Sequence, residues 1–147
     1  MSLQSHHRVL IADADPDLRR RLYTALLKLD VYSDTVGDGA AALSSIDLRQ
    51  YAVVLLDLDL AKADPLLVVE RLGKRSDAER PMVLLMASGP VPRTVDLDCV
   101  QIVLRKPIDV KAIAEVLHSC IRSVSKERAR RAKTQAERES ADQRPRA

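Results

Sequence analysis

Three side chains in this sequence have the types and placement for phosphoryl chemistry. Asp57 ends the apolar run Val53-Val54-Leu55-Leu56, Asp13 ends the earlier run Val9 to Ala12, and Lys106-Pro107 follows a later one. Accepting a phosphoryl group on a carboxylate asks a protein mainly for positioning and charge neutralisation, so such a nucleophile needs a cation and an ammonium nearby. The set is short of two parts. Ala14 puts no second acid beside Asp13, and Met86, at the end of a further apolar run, has no hydroxyl to donate.

The elements that must position these residues are legible as alternating apolar runs and helix-period segments, the mark of βα units wound into a parallel sheet. Val9–Ala12 reads as a first strand, and Pro16 then opens a helix with Leu18, Leu22, Leu26 and Leu29 on one face. The second strand is expected over 31–36, followed by the Gly37-Asp38-Gly39 turn and a helix carrying Ala40, Leu43 and Ile46. A third strand over 52–56 leads to a helix from Pro65 bearing Leu66, Val69 and Leu72. The fourth strand, 82–86, is followed by Gly89, Pro90 and Pro92, and internal proline costs a helix about 3 kcal/mol. A short or irregular fourth helix is therefore expected. Val100 to Leu104 forms the fifth strand, and Asp109 caps a long helix burying Val110, Ile113, Ala114, Leu117, Ile121 and Val124.

Composition bounds the rest. The 147 residues suit one domain, and 46% hydrophobic content is that of an ordinary globular chain. Neither a membrane span nor a signal peptide is readable, so the expected location is the cytoplasm. Cys99 and Cys120 have no metal-site spacing and fall on apolar-periodic segments, as buried thiols do. With three Tyr and no Phe or Trp, stacking platforms for single-stranded nucleic acid are missing. From Arg122 onward nine Lys/Arg face four Asp/Glu, so the net charge of +3 divides into +5 on the tail and −2 on the body. A basic tail on a slightly acidic body is weaker evidence for nucleic acid than a basic body. The organisation expected is a flexible 1–7, a domain over 8–121, and a basic tail over 122–147, helical at first and then disordered.

Over residues 8–121 the chain resembles the receiver domain of two-component response regulators. The resemblance rests on Val9-Leu10-Ile11-Ala12-Asp13-Ala14-Asp15-Pro16, on Tyr51 through Asp57, on Asp64 and on Lys106-Pro107, taken with five spaced βα units. It implies a flavodoxin-like doubly wound sheet of order 2-1-3-4-5, whose switch point lies between the first and third strands. It also implies Asp57 as phosphoacceptor, Asp13 as one of an acidic pair near magnesium, and Lys106 as the phosphoryl-contacting lysine. The departures bear on each role. Where the family carries a second, magnesium-binding aspartate this chain has Ala14, and where it carries Thr or Ser after the fourth strand this chain has Met86. One unit charge at about 4 Å is worth roughly 4 kcal/mol at an effective dielectric of about 20, enough to weaken a metal site by orders of magnitude. Val103 replaces the aromatic residue whose rotation reports phosphorylation, and Ala61 and Pro65 alter the loop after the acceptor.

The expected function is accordingly that of an atypical receiver, a pseudo-receiver: a signalling protein-protein interaction module, not an enzyme, with impaired or absent magnesium-dependent phosphorylation of Asp57. No cofactor is expected, and magnesium, if it binds through Asp13 and Asp57, should bind weakly. Asp15 and Asp59 are the carboxylates near enough to replace the lost ligand, since magnesium needs only one or two with waters and phosphate. The alternative is a weakly phosphorylatable receiver taking phosphate on Asp57 from a histidine kinase. Partners expected are signalling proteins, a histidine kinase among them, with a homodimer compatible; neither nucleic acid nor membrane insertion is expected. The blander reading of Asp57 and Lys106 is an ion pair at a sheet edge without chemistry. Asp57-Leu58-Asp59 also resembles the first motif of haloacid-dehalogenase-type phosphohydrolases, but only about ninety residues follow and the later acidic motif is not evident.

Overall fold

Runs of four to six apolar residues with no polar interruption can be buried on both faces, and here they are. The computed structural model, which describes residues 7–94, 97–143 and 145, sets five parallel strands in the order β2-β1-β3-β4-β5. These are β1 Val9–Ala12, β2 Ser33–Val36, β3 Val53–Asp57, β4 Met82–Ala87 and β5 Val100–Arg105. Every residue of β1 and β3 is buried, as expected of central strands in a sheet covered on both sides. The flavodoxin-like order anticipated from the sequence is the one observed. The second strand starts two residues late, although pairing begins before it, since Val9 N donates to Tyr32 O at 3.0 Å.

Among the described residues four α-helices cover the sheet: α1 Pro16–Leu27, α2 Gly39–Leu48, α3 Pro65–Gly73 and α4 Val110–Asp142. Each is N-capped by aspartate: Asp15, Asp38, Asp64 and Asp109 accept from Asp17, Ala41, Leu66 and Ala112. The carboxylate satisfies an otherwise unpaired amide and meets the positive end of the helix dipole. The sheet divides the core in two. One cluster joins Ile11, Leu55, Leu84 and Met86 to Leu22 and Leu26 of α1 and Ile113, Leu117 and Ile121 of α4. The other joins Leu10, Val54, Leu56 and Leu85 to Ile46 of α2 and Val68, Val69 and Leu72 of α3.

Two segments depart from a regular βα pattern. Between β4 and β5, where a short or irregular helix was expected, the described residues hold a three-residue 3-10 turn at Leu97–Cys99 and no α-helix, and residues 95 and 96 lie outside the described set. A helix running through this stretch would lose the i→i−4 bonds that Pro90 and Pro92 cannot donate. In the tail, the extended C-terminal helix expected from the sequence is present: α4 runs unbroken for 33 residues to Asp142. Ala, Lys, Arg, Glu and Gln hold it by propensity, aided by Glu127 paired with Arg130 at 2.7 Å and Arg131 at 3.0 Å. The segment expected to be flexible, 1–7, lies outside the described residues except for His7.

Candidate functional site

Because β1 and β3 are adjacent and in register, with Ala12 opposite Leu56, the residues that follow them meet at one sheet edge. Asp13 and Asp57 are both buried, at 0% and 1% exposure. Lys106 comes from the loop after β5, whose amide donates to Ala87 O at 3.0 Å and so ties that loop to the end of β4. Its peptide bond to Pro107 is cis.

The two carboxylates are held alike. Asp13 Oδ1 accepts the amide of Asp15 at 2.8 Å, and Asp57 Oδ1 accepts the amide of Asp59 at 2.9 Å. Each thereby turns its Oδ2 toward one ammonium, with Lys106 Nζ at 2.9 Å from Asp57 Oδ2 and 3.2 Å from Asp13 Oδ2. Burial alone would lower the lysine pKa. The hydrogen bonds and charges of Asp57 and Asp13 outweigh it and raise the pKa above the ordinary 10.5. Asp13 Oδ2 has no well-formed hydrogen bond, so the ammonium beside it is its only charge compensation within salt-bridge distance among the described residues. Arg19, from the first turn of α1, donates to the Asp13 carbonyl at 2.7 Å and fixes the backbone there.

The other expected pocket residues are placed as follows. Met86 is the register partner of Asp57, fully buried, with its side chain in the core cluster beneath α1 and α4. Its thioether offers no donor, so the position beside the acceptor is apolar. Ala14 follows Asp13 and adds no charge. Asp15, exposed, spends its carboxylate capping α1 at 2.9 Å from Asp17 N. Asp59 accepts Ser88 Oγ at 2.6 Å, and Asp64 caps α3. Val103, half-buried in β5, packs against the α2 and α3 side of the core. The structure thus brings Asp13, Asp57 and Lys106 together, sets Met86 alongside, and commits Asp15 and Asp59 elsewhere. Ser88 and Arg19 went unnoticed in the sequence. Ser88, a hydroxyl two residues past Met86, was the available signal.

Magnesium, which the resemblance implies, meets a poor donor set. Among the described residues no three His, Cys, Asp or Glu side chains gather to hold a metal. Asp13 and Asp57 are the two carboxylates paired with Lys106 among the described residues, and they share its ammonium. Magnesium held by so few protein donors must draw the rest from water and phosphate, at an octahedral geometry it does not relax.

The loop following Asp57 is pinned from below. Gly39 N donates to Ala61 O at 2.8 Å, and a Cβ at Gly39 would stand 2.5 Å from Ala63 O, so only glycine fits. Lys62 and Ala63 take positive φ values of 60° and 143°, the second a region that side-chain-bearing residues seldom occupy.

No protein-family model matches the chain. A probable transcriptional regulator, ycf27, of Guillardia theta is 32% identical over 91 residues, 62% of this chain and 35% of the relative. The transcriptional regulatory protein TctD of Salmonella typhimurium is 36% identical over 84 residues, 57% of this chain and 37% of its own length. The chain therefore spans about a third of the length of these curated relatives. Among solved structures, a CheY-like response regulator receiver domain protein from Methanospirillum hungatei superposes with a TM-score of 0.71 at 15% identity, covering 82% of this chain and 97% of that one. A likeness at that identity speaks for the fold. No helix among the described residues is long and apolar enough to cross a membrane.

Proposed function

We propose that this response-regulator receiver domain works as a pseudo-receiver, a protein-protein interaction module of a signalling pathway and not an enzyme, in which phosphorylation of Asp57 is impaired or absent. The observation that carries the reading is what stands around the acceptor: Asp57 is held by the Asp59 amide and Lys106, with Ala14 and Met86 where a metal ligand and a hydroxyl would be needed. An incoming phosphoryl group would find one ammonium already shared by two carboxylates, giving the site a net charge of about −1. It would also find no side-chain donor at Met86 to bind a new oxygen and pull β4 toward it. Signalling then depends on contact with the folded surface, and the partners proposed are signalling proteins.

A weakly phosphorylatable receiver is the second reading, favoured by one observation: Lys106 stands 2.9 Å from Asp57, where an ammonium must be to steady a phosphoryl group. The two readings separate on incubation of the full chain with a radiolabelled acyl phosphate and magnesium. The pseudo-receiver incorporates far less than one label per chain, with no dependence on magnesium. Stoichiometric, magnesium-dependent labelling that is lost in Asp57→Asn would establish the other.

A further inference from the structure

We infer that the outer face of α4 beyond the sheet is a docking surface for the phosphate backbone of double-stranded nucleic acid. The sequence counts alone spoke weakly for this. The structure adds that the tail is one continuous helix to Asp142, which turns scattered charges into an ordered stripe.

Arg122, Lys126, Arg130 and Lys133 are exposed, and their offsets of four, four and three residues keep them within about a quarter turn of the helix. They lie opposite the face that packs on the sheet through Ile113, Leu117, Cys120 and Ile121. No acidic side chain forms a salt bridge with Arg122, Lys126 or Lys133 among the described residues, while Arg130 is offset in part by Glu127 at 2.7 Å. The stripe is about 16 Å long, the axial length of about five phosphates of one strand. The helix beyond Arg131 is exposed almost throughout, so the surface is accessible. The body's net charge of −2 neither neutralises the stripe nor competes with it as a basic partner.

Side-chain chemistry selects among anionic partners. Ala129 lies between the cations, and Ala136 and Glu137 follow beyond Lys133, with no Leu, Phe or Trp along this stretch to enter a lipid surface. Helix α4 carries no Phe, Tyr or Trp on which single-stranded bases could stack, and its one imidazole, His118, precedes the stripe. A rigid row of cations without wedge or platform suits a regular array of phosphates, and it would bind a duplex without reading its sequence.

The test is fluorescence anisotropy of a labelled 20-base-pair duplex titrated with the full chain across salt concentrations. With three to four phosphates neutralised, affinity should fall between about 40-fold and 150-fold from 50 to 200 mM salt. Arg122→Gln/Lys126→Gln/Lys133→Gln, glutamine being a good helix former, should weaken binding at least tenfold at 50 mM while circular dichroism stays unchanged. Should that triple variant lose helix, Lys133→Gln alone, at a fully solvated position, should lower the log–log salt slope by about 0.9. The inference is overturned if the duplex does not bind at 50 mM salt or if the intact helical variants bind as the parent does. It is equally overturned if anionic phospholipid vesicles or polyglutamate bind as tightly as the duplex.

Discussion

With Asp13 and Asp57 buried on a shared ammonium, replacing Lys106 strands two carboxylates at the sheet edge. Removing one partner of a buried pair costs about 3–5 kcal/mol, and Lys106→Met should fall near the lower end, about 3 kcal/mol, because the lysine side chain is 24% exposed. Urea unfolding at pH 7 measures this, and a loss under about 1 kcal/mol would show the triad to be weakly coupled. The pH response has a definite sign. A lysine with a raised folded pKa contributes stability that is fully present below its ordinary 10.5 and is lost as pH rises through the higher folded value. The parent should therefore weaken above about pH 10.5. In Lys106→Met the lysine's share of the alkaline loss disappears, leaving that of Tyr51, whose pKa is likewise raised, by burial and by its hydrogen bond to Asp34.

At the scale of elements, the segment after β3 stores strain beside the site. Ala63 at φ 143° sits where only glycine is at ease, and Ala63→Gly should raise the urea unfolding free energy by about 1 kcal/mol. An unchanged or lowered stability would mean that the surrounding contacts, Gly39 against Ala63 among them, already repay the conformation. This loop was not legible from the sequence. Ala61 and Pro65 signalled an unusual shape, but positive φ at Lys62 and Ala63 arises from docking on the start of α2, a contact no local pattern encodes. The strands, the aspartate cap at Asp109 and the irregular stretch after β4 could be read because apolar runs, short polar caps and prolines act locally. The extension of α4 past Val124 could be read from its Ala, Lys, Arg, Glu and Gln, but not where it ends, since periodicity tracks burial and the apolar stripe stops at Val124.

Across the whole molecule, the acceptor edge and the tail lie at opposite ends of the sheet. Asp57 closes β3, whereas Arg128 of α4 reaches Tyr51 O just before β3 begins, at 3.4 Å, a separation of about 20 Å along the strand. Site and tail have separate chemistry, so a change at Asp57 leaves the tail's charge untouched. The grouping of Asp13, Asp57 and Lys106 was legible because sheet order alone brings those strand ends together. The commitment of Asp15 to α1 and of Asp59 to Ser88 was not, since proximity in sequence does not say which way a carboxylate turns. Those two commitments support the proposal that Ala14 and Met86 go uncompensated. The most direct test is amide NMR of the full chain titrated with magnesium and beryllofluoride, a stable mimic of the acyl phosphate, with Ala14→Asp/Met86→Thr as the restored counterpart. The parent should show no saturable shifts around Asp57 and β4, while the double variant acquires them. Saturable, magnesium-dependent shifts in the parent that vanish in Asp57→Asn would contradict the account.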